Sequence, residues 1–463
     1  MSITASYRKH NIHQKAIWLL SAITFLLIGM PKLGIKFGSL PIYAIDILIV
    51  SCAYYAQKIK PRYSIKTNMS SIVTVILIIV TLSELSAAIQ LGEFLKPIYI
   101  IMRTLIAGSL FFSISKIIQT PNDLESILKA ALFGALITAI LLIITSLPFT
   151  KSIAQSYVFS IPYLDPNGAN VALKLDKSLS ATRGTSLVGV SILSGAFLNT
   201  IWALLLYLMT NVNLETRWKN LLKAVSFIIP FAVVMTYSRG AILGLIMVTC
   251  GVIFFNSSKS RRIIVAVIGL AVIVFAQVGW DSEYFFFDRV INRTQAMIQN
   301  PYEDKRESER IYAYTEPFEH LVENPLFLFI GEGFARRKVG GNELTAGNDA
   351  ATHAVFAAAY YAYGMMAALA YMYLLFKAFQ TTWKYAHEKA NKYSNRFSQA
   401  LLASLLGFIP WFILGHAAVS QPRGAMLMFF VFGLVALQPK FQYFDRMRNQ
   451  TSKKKELPLV VDQ

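Results

Sequence analysis

The stretch TYSRGAIL joins two apolar runs and puts Tyr237, Ser238, Arg239 and Gly240 in the tight turn between them. A hairpin this tight needs Gly240. Arg239 is then held at the edge of the apolar phase. Its guanidinium can grip a phosphate with two parallel hydrogen bonds while its stem lies in lipid, or it can simply snorkel to anchor the turn. Arg183, Arg306, Arg310 and Arg423 fall on the same side under the topology derived below. Cations on that side run against the bias that sorts basic residues, so each needs a local reason. A diphosphate-bearing lipid supplies one, and ion pairs with Glu303, Asp304, Glu307 and Glu309 supply the other. His353, in DAATHAVF, sits where the chain re-enters an apolar run after a long loop. An imidazole there titrates near neutrality and can act as a general base, or it can serve as a capping or interface histidine. Asp46 and Arg103 each interrupt an apolar run at similar depth. Intramembrane charges cost about 2.5–3.5 kcal/mol each, so a structural ion pair is expected, with substrate contact as the alternative.

The elements that must position these groups follow from the bulk of the sequence. Of 463 residues, 55% are hydrophobic and only 15% are charged, with a mean hydropathy of +0.50. Soluble domains sit nearer a quarter charged, so water is not the main solvent of this chain. The apolar residues fall in runs of roughly 16 to 25, long enough to cross about 30 Å of hydrocarbon as helix. The runs predict twelve helices, at roughly 16–30, 39–56, 69–86, 96–117, 129–149, 187–209, 221–237, 240–256, 263–279, 352–376, 397–415 and 422–438. Twelve spans put both termini on one side.

Charge tests that count. With a cytoplasmic N-terminus the alternate loops are the basic ones, carrying Lys58, Lys60, Arg62 and Lys66, then Arg217 and Lys219, then Lys259, Arg261 and Arg262, then Lys384, Lys389 and Lys392. The net charge of +19 is therefore read as topology and not as a nucleic-acid surface. Two outer loops are long, roughly 150–186 and 280–351. The second carries 13 of the 25 acidic residues, and at about 70 residues it escapes the positive-inside bias. Its stretch SERIYAYTEPFEHLVENP has the spacing of an amphipathic helix lying on a membrane surface. The expected organisation is nine spans over residues 1–279, a periplasmic loop with short amphipathic helices over 280–351, three spans over 352–438 and a basic cytoplasmic tail over 439–463. The fold class is thus an all-α integral membrane protein. Cys52 and Cys250 lie in apolar runs without metal-ligand spacing. The sequence has no Walker loop, dinucleotide fingerprint or HExxH motif, so any chemistry must draw on a donor already in the membrane.

In order along the chain, PIYAIDILIV, LDPNGAN, the RGTS region, YSRGAILGL, SERIYAY, NPLFLFIGEGF and THAVF resemble the bacterial O-antigen ligase and O-antigen polymerase superfamily of polytopic glycosyltransferases. The resemblance covers most of the chain. It implies transfer of sugar chains from a polyprenyl diphosphate donor to an acceptor hydroxyl, on the periplasmic face of the bacterial inner membrane and without a metal or cofactor. Carried over residue by residue, Arg239 matches the arginine of the family's SRG motif, Arg310 the loop arginine and His353 the histidine of its His-Asn motif. These three are the expected catalytic residues. Arg183, Tyr237, Ser238, Arg306, Gly331, Gly333 and Arg423 are the expected substrate-binding set. Implied partners are the lipid-linked oligosaccharide, an acceptor glycan or lipid A core, the bilayer and a chain-length regulator, with no nucleic acid. Two departures stand out: Ala354 replaces the usual Asn, and Leu328 and Phe329 intervene between NPLF and the glycines. The motifs fit a polymerase or a ligase. A lipid-linked oligosaccharide flippase is the alternative from another class.

Overall fold

The computed structural model describes residues 3–30, 33–37, 40–60, 68–147, 150, 186, 191–209, 214–236, 238–255, 305–335, 354–388, 392–414, 419 and 422–455. The side chains of Arg239, Arg306 and Arg310 lie outside the description, although their backbone is within it. The helices are α1 (Ile3–Gly29), α2 (Ala44–Lys58), α3 (Asn68–Leu91), α4 (Leu95–Ile117), α5 (Pro121–Ser146), α6 (Ser191–Met209), α7 (Thr216–Val234) and α8 (Arg239–Phe255). They continue with α9 (Lys305–Glu323), α10 (Val355–Tyr363), α11 (Met365–His387), α12 (Lys392–Leu414), α13 (Pro422–Val435) and α14 (Gln438–Lys455). Among the described residues, six helices are long and apolar enough to cross a membrane, and two shorter apolar helices cover Leu193–Met209 and Gly240–Phe255. The expected span at 263–279 lies outside the described residues.

Polarity is arranged as lipid requires. Ile47, Val50, Ile78, Leu82, Met102 and Leu105 point outward and are exposed, while Glu84, Thr138, Asn199 and Thr200 are buried between helices. In water such a surface would aggregate; in hydrocarbon it is the ordinary outer face. Polar groups inside the bundle tie helices together. The amide of Asn199 on α6 donates to Ala241 O on α8 at 2.7 Å, and Ser404 Oγ on α12 donates to Thr200 O at 2.5 Å.

The helix junctions sort to two ends. At one end, His13 Nε2 lies 2.9 Å from Ile117 O, Lys440 bonds to Ser115 O, Phe255 packs on Trp383, and Ser394 N donates to Asp445 Oδ2 at 2.7 Å. At the opposite end, Arg423 Nη2 donates to Met30 O at 2.5 Å and the α3–α4 turn meets residues 334–335.

Three local features depart from the expected all-α plan. Two short strands, β1 (Gly34–Phe37) and β2 (Leu40–Tyr43), pair antiparallel ahead of α2, where helix was expected from 39. The single expected span at 352–376 is two helices broken at Gly364, which has φ +92°. The expected tail after 438 continues as helix, with Lys440, Gln442 and Asp445 buried against neighbours.

Candidate functional site

The residues singled out for chemistry converge, as far as their backbone is described, on one end of the bundle. Ser238 is buried at the N-cap position of α8: its Oγ accepts from Ala241 N at 3.5 Å and its carbonyl from Ile242 N at 2.9 Å. Arg239 is therefore the first residue of a helix and Gly240 the second. The free amides of such a first turn carry the positive end of the helix dipole. Tyr237 lies outside the described residues.

α8 is pinned by close packing on α12. A Cβ added to Gly244 would lie 2.7 Å from Gly407 O, and one added to Gly251 would lie 2.9 Å from Ala403 Cα. The two helices run antiparallel, so the first turn of α8 lies beside the last turn of α12. That last turn also receives α9. Tyr314 on α9 donates its hydroxyl to Ile413 O at 2.6 Å, and burial pushes its phenol up to about 12, so the donor keeps its proton through the physiological range. Position 310 is one helical turn before Tyr314 and shares its face of α9, while position 306 is a turn further back.

α10 completes this end. Phe356, in its first turn, stacks on Tyr314 with centroids 6.1 Å apart and on Phe318 at 5.6 Å. His353 lies outside the described residues; Ala354, the next described position, occupies the N-cap of α10 without a side-chain cap. An Asn there would satisfy an orphan amide, which Ala cannot do. Arg183 also lies outside the description.

Gly331 and Gly333, expected at the substrate, are packed closely against protein. A Cβ on Gly331 would come within 2.5 Å of the Ala362–Tyr363 backbone, and one on Gly333, at φ +77°, within 2.4 Å of Ala87 Cβ. This closeness lets Glu332 N and Gly333 N donate to Tyr361 O and Ala362 O at 2.9 and 2.8 Å, satisfying carbonyls released at the end of α10. Arg423 is buried and bonded to Met30 O, joining α13 to α1. Asp46 and Arg103 are brought together: Nη2 is 3.4 Å from Oδ1. Arg103 also donates to Tyr99 Oη at 2.8 Å and covers the Tyr43 ring at 4.5 Å.

Two residues were not singled out from the sequence. Glu84, fully buried on α3, accepts from Phe334 N at 2.6 Å and Ala335 N at 3.2 Å. Its signal was present: a lone acid in the apolar run TVILIIVTLSELSAAIQL. His320 on α9 sets Nδ1 3.0 Å from Tyr360 Oη and meets Phe327 edge-on at 4.7 Å, fastening α9 to α10. It lay within the stretch read only for its amphipathic period.

The fold and the cluster define a multi-pass, helical membrane protein with an aromatic-lined junction of helices at one end. Residues 224–372 match the family model described as O-antigen ligase. That match, over part of the chain, supports the O-antigen ligase and polymerase superfamily that the motifs suggested, and with the apolar helices it points to a multi-pass bacterial membrane protein of glycosyltransferase type. The matched range contains positions 237–240, 306, 310, 331, 333 and 353, while Arg183, Arg423, Asp46 and Arg103 fall outside it. No curated protein matches the chain.

Proposed function

We propose that the protein is a periplasm-facing glycosyltransferase of surface polysaccharide assembly, moving an oligosaccharide from a polyprenyl diphosphate carrier to an acceptor hydroxyl. The observation that carries this reading is the meeting of three backbone segments at one end of the bundle: the first turn of α8, the Tyr314 face of α9 and the first turn of α10. Each bears one of the motif residues or adjoins it. Displacing a diphosphate builds negative charge on the leaving group. In this reading Arg239 and Arg310, with Arg183, hold that charge, and the α8 dipole adds to it. Arg306, Tyr237 and Ser238 shape the same donor subsite. His353 takes the proton of the attacking hydroxyl or orients it. No cofactor enters the scheme.

The test is replacement of Arg239 and His353 with Ala in cells and in reconstituted protein. Both variants are expected to insert at normal level and to abolish polysaccharide assembly. Normal polysaccharide from both would overturn the reading.

Within the family we favour a polymerase that extends a carrier-bound chain, because Ala354 and the Leu328–Phe329 insertion depart from the family pattern and polymerases vary more with their sugar substrates. The description of the matched family favours the alternative, a ligase that moves the finished chain to lipid A core or protein. A lipopolysaccharide gel separates them: loss of a polymerase leaves single capped repeats, whereas loss of a ligase leaves long chains on the carrier. Reconstitution with donor already facing outward separates both from a flippase, which would move lipid without forming a bond.

A further inference from the structure

We propose that Glu84 and Lys96, in the α3–α4 hairpin, are positioning residues of the transferase site: they clamp residues 333–335 and, through them, fix the far end of α10. The inference rests on the functional reading above and deepens it.

A carboxylate in an apolar span is costly, and Glu84 has no access to solvent. Its partners are not in its own helix or in the neighbouring span. Both oxygens are committed to backbone amides 250 and 251 residues away, Phe334 N on Oε1 and Ala335 N on Oε2. Each oxygen of the carboxyl group is thus tied to the 334–335 segment. At the carbonyl of the same residue, Lys96 Nζ donates to Ala335 O at 2.5 Å. Ser83 Oγ donates to Tyr363 O at 3.3 Å, so one turn of α3 holds both the clamped segment and the helix it caps.

The clamped segment is in turn the cap of α10. Glu332 N and Gly333 N take the last free carbonyls of that helix, and Gly364 turns the chain there at φ +92°. α10 has only nine residues, all of them buried. A rod that short transmits a shift at one end to the other, and its other end carries Phe356 against Tyr314 and adjoins position 353. Misplacement of about 1 Å at a reacting centre costs on the order of 100-fold in rate, so an anchor of this kind acts on turnover and not on donor affinity.

The experiment uses the full-length protein in nanodiscs with lipid-linked oligosaccharide and acceptor. Glu84→Ala is expected to lower kcat about 10- to 100-fold with KM for the donor nearly unchanged, and Glu84→Gln, which keeps one acceptor oxygen, to fall between Ala and wild type. Amide exchange at Phe334, Ala335 and the last turn of α10 is expected to rise in Glu84→Ala whether or not transfer is followed. A folded Glu84→Ala protein with wild-type kcat overturns the proposal, as does a raised KM with kcat unchanged, or exchange at 334–335 that does not change. Where Glu84→Ala does not fold, Lys96→Met is expected to show the smaller version of the same kcat loss, and wild-type kcat there overturns the proposal. Failure of the functional reading is distinct: the wild type itself would form no glycosidic product.

Discussion

The Asp46–Arg103 contact offers a quantitative test, because the sequence left it open between a structural pair and a substrate contact. Arg103→Gln leaves a carboxylate that is 7% exposed facing no cation. Breaking a buried pair in this way costs about 3–5 kcal/mol. The lost stacking over Tyr43, at 4.5 Å, adds about 0.5–2 kcal/mol. Asp46→Asn is milder, about 1–3 kcal/mol, because Arg103 keeps the Tyr99 hydroxyl at 2.8 Å and both rings. Tyr99 in turn donates to Pro41 O at 2.9 Å, so the guanidinium is part of a chain that seats β2 on α4. The double variant removes both charges at once and is expected to be more stable than the sum of the singles by about 1–3 kcal/mol. The assay is thermal unfolding in nanodiscs, run beside glycosyl transfer. Additivity within about 0.5 kcal/mol would refute the structural reading. So would an Asp46→Asn protein that melts like wild type yet transfers poorly, since that pattern belongs to a group on the substrate.

Gly333→Ala is expected to lose transfer and to melt lower, because its methyl would sit 2.4 Å from Ala87 Cβ at a backbone angle that alone costs about 1–2 kcal/mol; wild-type melting would show that the 331–335 segment is not held as described. Val322 and Leu326 are 84% and 81% exposed, and with the exposed Phe318 and Phe329 and the outward Met366 and Leu369 they form an apolar ridge. We expect this ridge to dip into the outer leaflet. A Val322→Trp probe should then show blue-shifted emission quenched by brominated lipid, and emission typical of water would rule that out.

Much of the helical plan was legible, and the reason is physical. A span must satisfy its backbone internally and present apolar side chains outward, so α3, α4, α5 and α12 announce themselves by run length alone. Hydropathy was blind to the break at Gly364, because the carbonyls it frees are satisfied by Glu332 N, Gly333 N and Ser83 Oγ, none of them nearby in sequence. Residues after 438 read only as a basic tail, and within them Lys440, Gln442 and Asp445 find partners at Ser115, Glu388 and Ser394. Of the candidate site, the residue types were readable from motifs such as SRG. The packing role of Gly331 and Gly333 was not, since a glycine that binds a ligand and one that admits a helix look alike in one dimension.

The partners that fix the site explain this division. The family match spans 224–372, yet several groups that hold its described parts lie outside that range: Glu84 and Lys96 on the 331–335 segment, Asn199 on α8, and Ile413 on α9. All four of these contacts use backbone on one side of the junction, which any sequence supplies. A motif can therefore keep its spacing while its support is drawn from helices that share nothing recognisable with other chains. Glu84 is the exception that sequence does record. A backbone partner needs no special residue, but holding two amides at the lipid boundary from within an apolar helix needs a charge, and a charge in such a run is visible without any structure. Lone acids within apolar runs are thus the positions at which the support of a site can be sought, and in this chain the prediction is that the acid of α3 sets turnover through the loop it holds.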